Sequence, residues 1–589
     1  MSRVCPLCRF LATVTRGEQT GIMIEPWDGY QAYLSVLDKP QSCSAFGLRY
    51  SIHTSSDDVY LGSNDDYINF KYIQDWLQEC QSHSHSTSHD SEVETLNESL
   101  PSEVPFYLID IRTLSIIEGS LGHKYAALSY VWGKISFSML KLEVFNLQEM
   151  KLPGSLDQRW SNIPHTVRDA IVLCKKINMP FLWVDSLCIV QDSTHKSQLI
   201  SNMHLVYMNA TFTIAAATGN DANARLPGVE IPVKYGPIHP ICATSSNSLF
   251  AYQRHKSCLE TLLQSYWFSR GWTFQEHFLS QRLLCFTKHD LIFLCPESTF
   301  CQDYLTGRIL KEESDPWQDG EPVYELLLSA SSGGLHSPEA LYDHILPCYI
   351  ARSLTYDTDA LSAFSGTLAR FEPYLGEHWN GLHRCGFTLW LTWIALYDNT
   401  LTRREGFPSW SWVGWKWSKP NSQILACTYI PTKEWQSVYC YRIKDGILQE
   451  FGASLPLGHS LGRVSNTEDL QIERPTQREL DGFPRSCITI GEESQYLVFW
   501  TAAISMDKCR ESMDFDDIKA SFENHMGNGS LVFTNKFSLV LITAKTEAEL
   551  AIVMPVHWVD GVGYRRALSD VALSTWEDLE PERKLVVLR

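Results

Sequence analysis

"YAALSYVWG", residues 125–133, is the stretch on which the reading of the fold turns. Its apolar run ends in Ser129, Tyr130, Val131, Trp132 and Gly133. A strand that only fills a core stops at a turn. This one finishes in two large aromatics that carry polar atoms, then a glycine, as does a strand that delivers groups to a cleft. Downstream the pattern alternates. "IPHTVRDAIVLCKKIN" places Val167, Ala170, Ile171 and Cys174 at helical spacing, with Pro164 near the start and Thr166-x-x-Asp169 as a capping-box-like pair. "FLWVDSL" (181–187) is a short apolar run of the buried-strand kind. A helix over about 195–208 carries Leu199, Met203 and Val206 on one face, and "TFTIAAATG" (211–219) is a further strand. Strand, helix, strand, helix, strand predicts a parallel sheet with right-handed crossovers.

The rest of the chain sets the limits. Its 589 residues exceed one ordinary core, so two or three domains are expected. A net charge of -19 argues against a nucleic-acid partner, since phosphate contacts need a basic surface. The 17 cysteines are odd in number and lie in apolar segments, which suits reduced thiols in the cytoplasm better than a disulfide framework. "MSRVCPLCRF" has no signal-peptide apolar stretch, and "FTLWLTWIALY" is too short to span a bilayer, which takes about 20 residues. Expected divisions are an N-terminal region at 1–80, a flexible polar linker at 81–104, an α/β domain at 105–295, an irregular insertion at 296–345 and an α+β region at 346–589. "FYLIDI" (106–111) reads as a strand. "SRGWTFQEHFLSQRLLCFTKHDLIFLC" (269–295) reads as a helix at 272–280 and a β-hairpin turning at Thr287-Lys288-His289-Asp290. Beyond the aromatic run "FPSWSWVGWKW" (407–417), the last third alternates as β-strands do.

"YAALSYVWG", "IPHTVRDAI…FLWVDSLCIVQD…NMHLVYMNATFTIAA" and "SRGWTFQEHFLSQRLLCF" resemble the three blocks of the fungal heterokaryon incompatibility (HET) domain, over about residues 106–290. "RSLTYDTDALSAFSG" and "FPSWSWVGW" resemble segments that often follow it. The resemblance implies a self/non-self recognition factor whose HET domain triggers cell death, by self-association or through a protein partner. It also implies kinship with TIR domains: a TIR-like, doubly wound, mostly parallel sheet, followed here by a mixed helical and β-rich C-terminal region. Some TIR domains cleave NAD, so NAD enters as a candidate substrate. There is no Walker A motif; "GSLGHKY" (119–125) has Gly-His-Lys where Gly-Lys-Ser/Thr is needed.

Candidate chemistry follows from the strand ends, where doubly wound sheets bind ligands. Ser129, Tyr130, Trp132 and Gly133 end one strand, and Asp185 ends another. Asp185 has two readings, a catalytic carboxylate or an acceptor for backbone N–H groups; Asp110 shares the ambiguity. Trp132 is either a stacking platform or a core plug. Glu276 shares a helix face with Trp272 and Leu279, and an acid on an apolar face calls for an answering group. Arg270 and Arg282 are near enough in sequence to pair with it, which is the structural reading. The catalytic reading is that one carboxylate stabilises the oxocarbenium-like state formed when the nicotinamide–ribose bond breaks. Cys174 and Cys188 read as inert core thiols. Cys5-x2-Cys8 with Cys80-x2-His83 is a weak zinc candidate, with Cys43, His85 and His89 as alternates.

Overall fold

The computed structural model describes residues 21–27, 31–37, 49–54, 68–81, 100–133, 139–233, 238–243, 248–254, 258–295, 298–303, 309–312, 338–395, 401–417, 425–426, 438–452, 473–489, 491–511, 536–545, 550–565 and 569–589. The chain divides into two compact units, Met1–Gly333 and Gly334–Arg589.

The first unit is built on a nine-stranded sheet. In chain order its elements are α1 (Phe70–Gln81), β1 (Tyr107–Asp110), β2 (Ser115–Glu118), β3 (Tyr125–Ser129), α2 (His165–Lys176), β4 (Phe181–Val184), α3 (Asp185–Cys188), α4 (Lys196–Ser201), α5 (Met203–Asn209), β5 (Phe212–Ala216), α6 (Gly271–Phe278), β6 (Leu283–Phe286), β7 (Asp290–Cys295), β8 (Ser298–Asp303) and β9 (Ile309–Glu312). The strand order is β9-β8-β7-β6-β5-β3-β4-β1-β2. The pairs β6–β5, β5–β3 and β3–β4 are parallel. The flanking pairs are antiparallel, including β1 on β4 and the hairpin of β6 and β7. The parallel core thus falls where strands alternate with helices. The antiparallel flanks are hairpins of consecutive strands, except that β1 lies antiparallel on β4 across a long connection.

All five residues of β3 and of β5 are buried, because these strands lie at the centre of the sheet. The chain leaves β3 for β4 on one side and then crosses to β5 on the other. That reversal makes the carboxyl end of β3 a topological switch point, the place where open α/β sheets leave a crevice.

Three elements depart from their sequence-based bounds, each for a local reason. Strand β4 stops at Val184, because the Asp185 carboxylate accepts the Ser186 N–H at 2.6 Å and opens the one-turn helix α3. The helix expected over 195–208 breaks at Asn202, whose side chain donates to the Gln198 carbonyl at 2.8 Å and competes with the helix ladder. Thr166 and Asp169 form no capping box; Pro164 is the N-cap of α2. The core also reaches past the expected boundaries. In α1, Ile73, Trp76 and Cys80 belong to the main core cluster, and β8 and β9 extend the sheet into the stretch read as irregular. A separate five-stranded antiparallel sheet joins Gly21–Trp27, Gln31–Leu37 and Arg49–Thr54 with Ser248–Arg254 and Ile238–Ala243.

The second unit is β-rich. Strands Leu497–Ser505, Phe537–Lys545, Leu550–Val559, Val562–Arg565 and Glu582–Leu588 pair in that order, and the last pairs back onto the first. The aromatic run is packed inside this unit. Trp410 and Trp412 are fully buried, and their indole N–H groups donate to the carbonyls of Gln495 at 3.0 Å and Gly381 at 3.1 Å. Trp415 donates to the Ser409 carbonyl at 2.8 Å. No helix among the described residues is long and apolar enough to cross a membrane.

Candidate functional site

The last residue of β3, Ser129, is fully buried. Its hydroxyl donates to the Glu276 carboxylate and accepts the Trp267 indole N–H at 2.7 Å. Both partners come from the α6 region. Trp267 lies just before the helix, where its carbonyl and that of Arg270 accept the Thr273 hydroxyl at 2.6 and 2.9 Å. Glu276 lies on the second turn and is itself buried. One small hydroxyl therefore fixes a buried carboxylate against the sheet, and an indole fixes the hydroxyl. The Ser280 hydroxyl bonds the Glu276 carbonyl at 2.5 Å and Thr213 of β5 at 2.6 Å, which ties the end of α6 to the same strand layer.

Register places a second acid beside the first. Leu128 lies opposite Val184 in the parallel pair, so Asp185 follows β4 at the level where Ser129 ends β3. Asp185 is partly buried. Its carboxylate accepts the Trp132 indole N–H at 2.8 Å and the Ser186 N–H. Burial pushes its pKa up to about 6, opposed by Trp132, Ser186, Tyr130 and the charge of Arg270. The Tyr130 hydroxyl donates to Ser186 at 3.0 Å, and burial together with Asp185 holds this phenol well above its usual value. Arg270 donates to the Tyr130 carbonyl at 3.3 Å. Tyr207 on α5 is buried, and burial, with the charges of Glu276 and Asp185 added, pushes its phenol well up.

Gly133 closes the rim. Its φ is +69°, and a Cβ there would stand 2.5 Å from the Asp221 Cβ and 2.8 Å from its Cα. The loop after β3 thus touches the loop after β5 with no side chain between them. The second loop is anchored by the pair read as a capping box. The Asp169 carboxylate, fully buried, accepts Arg225 Nε at 3.2 Å and Nη2 at 2.8 Å, and the Leu226 N–H at 2.8 Å. Thr166 accepts the Arg225 N–H at 3.0 Å.

The sequence candidates divide clearly on this geometry. Ser129 and Glu276 are brought together, as are Tyr130, Trp132, Asp185 and Arg270, all at the carboxyl end of β3. Trp132 is partly buried, with Lys141 over one face of its ring at 5.7 Å. Arg282 is not the partner of Glu276; it donates to the Cys80 sulfur at 3.1 Å and the Thr211 carbonyl at 3.5 Å. Asp110 is a turn acceptor for the N–H groups of Arg112 at 2.8 Å and Thr113 at 3.2 Å. Cys174 and Cys188 are buried in the core, and burial pushes the Cys188 thiol up to about 12. Of the zinc candidates, Cys5, Cys8 and His83 lie outside the described residues, as do Cys43, His85 and His89. Among the described residues no group of three or more side chains could hold a metal ion. Trp267 and Tyr207 were not singled out from sequence. Each is an aromatic in an apolar context, indistinguishable there from core filling.

Residues 125–276 match the model of the family described as heterokaryon incompatibility protein (HET). No curated protein and no solved structure matches the chain. The first unit therefore contains a HET domain, matched over residues 125–276.

Proposed function

We propose that this HET domain protein is a self/non-self recognition factor of the heterokaryon-incompatibility type, whose HET domain triggers programmed cell death in the cytoplasm. The supporting observation is that the matched stretch begins with β3 and ends at Glu276, and that these two ends meet at the Ser129–Glu276 hydrogen bond. A stretch selected as one unit is thus closed upon one buried carboxylate. In this reading the domain acts by self-association, and the C-terminal unit recognises a protein partner. Induced expression of the full chain in a fungal host tests it, read by colony counts and by sedimentation of the purified protein. Loss of viability with a concentration-dependent increase in mass is expected. Unimpaired growth at high expression, with a monomer at all concentrations, would overturn the reading.

A second reading is favoured by the neighbouring acids. Asp185 and Glu276 flank one strand end at the switch point of the sheet, with the Trp132 ring bonded to Asp185, and in this reading the sheet is a TIR-like one. That set suits an NAD glycohydrolase. The carboxylate of Glu276 would stabilise the cationic sugar as nicotinamide leaves, and water would complete the hydrolysis. Incubation of the purified full chain with NAD, followed by chromatography, decides this point. Free nicotinamide from the wild type but not from Glu276→Gln supports the enzyme. Intact NAD at high protein concentration removes it and leaves the first reading untouched.

A further inference from the structure

We propose that Cys80 and Cys295 are a redox-modification site, at which hydrogen peroxide joins α1 to the sheet through a reversible disulfide. Cys80 lies in the last turn of α1 and Cys295 is the last residue of β7. The two side chains are 0% and 3% exposed, and their thiols share a hydrogen bond. The elements that carry them are fixed against each other. Helix α1 packs on β7, with Trp76 stacked on Phe300 at 5.7 Å and tilted against Phe293 at 6.2 Å. Sulfurs already in hydrogen-bond contact need little backbone movement to reach bonding distance. The other thiols of the neighbouring strands, Cys285 and Cys301, belong to a different core cluster, that of Trp267.

A third group makes the pair more than two buried cysteines. The Arg282 guanidinium stands 3.1 Å from the Cys80 sulfur. Cys295 and burial together push the Cys80 thiol up, and the charge of Arg282 opposes them. Arg282 is thereby the countercharge for a thiolate formed within the pair. The chemistry balances with peroxide as the only oxidant. One thiol of the pair gives up its proton and attacks one peroxide oxygen, the O–O bond breaks, and the hydroxide that leaves takes up that proton to become water. That cysteine is then a sulfenic acid. Its partner attacks that sulfur, the S–S bond forms, and a second water departs with the partner's proton. Two thiols are oxidised by two electrons and one peroxide is reduced to two waters. The disulfide would staple the helix that precedes the domain onto its sheet, whatever reaction or association the domain carries out.

The test uses the full chain. Purified protein is treated with hydrogen peroxide, remaining thiols are alkylated under denaturing conditions, and an unreduced digest is mapped by mass spectrometry. The expected product is a peptide pair linked through Cys80 and Cys295, released by dithiothreitol. It should be lost in Cys295→Ser and retained in Cys174→Ser. Its formation should raise the thermal midpoint by a few degrees, as closure of a long loop in the unfolded chain does. Full alkylation of both residues after peroxide, oxidation to separate sulfonic acids, or pairing with other cysteines would each overturn the proposal. Mapping of the wild type alone gives that answer, so the result stands even if a serine variant fails to fold.

Discussion

At Gly133 two loops meet with no room for a Cβ, and φ lies in the left-handed region. Gly133→Ala should cost about 1–3 kcal/mol in backbone strain alone, with the clash against the Asp221 backbone added. A chemical denaturation curve checks this; an unchanged midpoint would mean that the loops can part freely. Asp185 supplies a second residue-scale expectation. A carboxyl that titrates near pH 6 is mostly ionised at pH 7. If NAD is consumed, the rate should rise with pH through about 6 as the carboxylate forms. Asp185→Asn should flatten that rise, and a wild-type profile that is level from pH 5 to 8 would exclude Asp185 from the reaction. These residues were legible in sequence to different degrees. Ser129, Trp132 and Asp185 stood out because polar groups ended apolar runs. The bond from Trp267 to Ser129 was not legible, because it spans a separation of 138 residues that no local pattern encodes.

At the scale of elements, periodicity located β3, α2, β4 and β5, since central strands and amphipathic helices carry strong patterns. It did not locate the antiparallel placing of β1 beside β4, which depends on what the rest of the sheet leaves uncovered. Nor did it separate a local cap from a long-range contact at Asp169. That carboxylate holds the loop after β5, and so one wall of the rim at Gly133, through Arg225 and the Leu226 N–H. Asp169→Ala strands a guanidinium and a buried N–H, and should cost about 3 kcal/mol. Hydrogen exchange should then rise across residues 217–231 ahead of the sheet. Uniform loss of protection over the whole unit would show that the pair supports the core and not the loop in particular.

At the scale of the molecule, the two units carry different burdens. The second holds a buried histidine packed among aromatic rings and a second histidine. His383 is 0% exposed, with Tyr342 at 5.0 Å, Phe371 at 6.2 Å and His378 at 6.1 Å; its Nδ1 bonds the Gly376 carbonyl at 2.9 Å. Burial lowers its pKa to about 4. A histidine held below its ordinary value stabilises the fold fully above about pH 6.5, and that contribution disappears as pH falls through 4. The loss should reach about 2 kcal/mol by pH 5. Thermal melts at pH 7.5 and 5 should show it, and His383→Leu should reduce the difference between them.

The central claim is that the first unit works through the carboxylates gathered at the end of β3. Glu276→Gln tests it most directly, because glutamine keeps an oxygen to accept the Ser129 hydroxyl and loses only the charge. Viability after induced expression should be measured for the wild type and for Glu276→Gln at matched levels of folded protein. The account predicts death with the wild type and survival with the variant. Equal killing by both would contradict it.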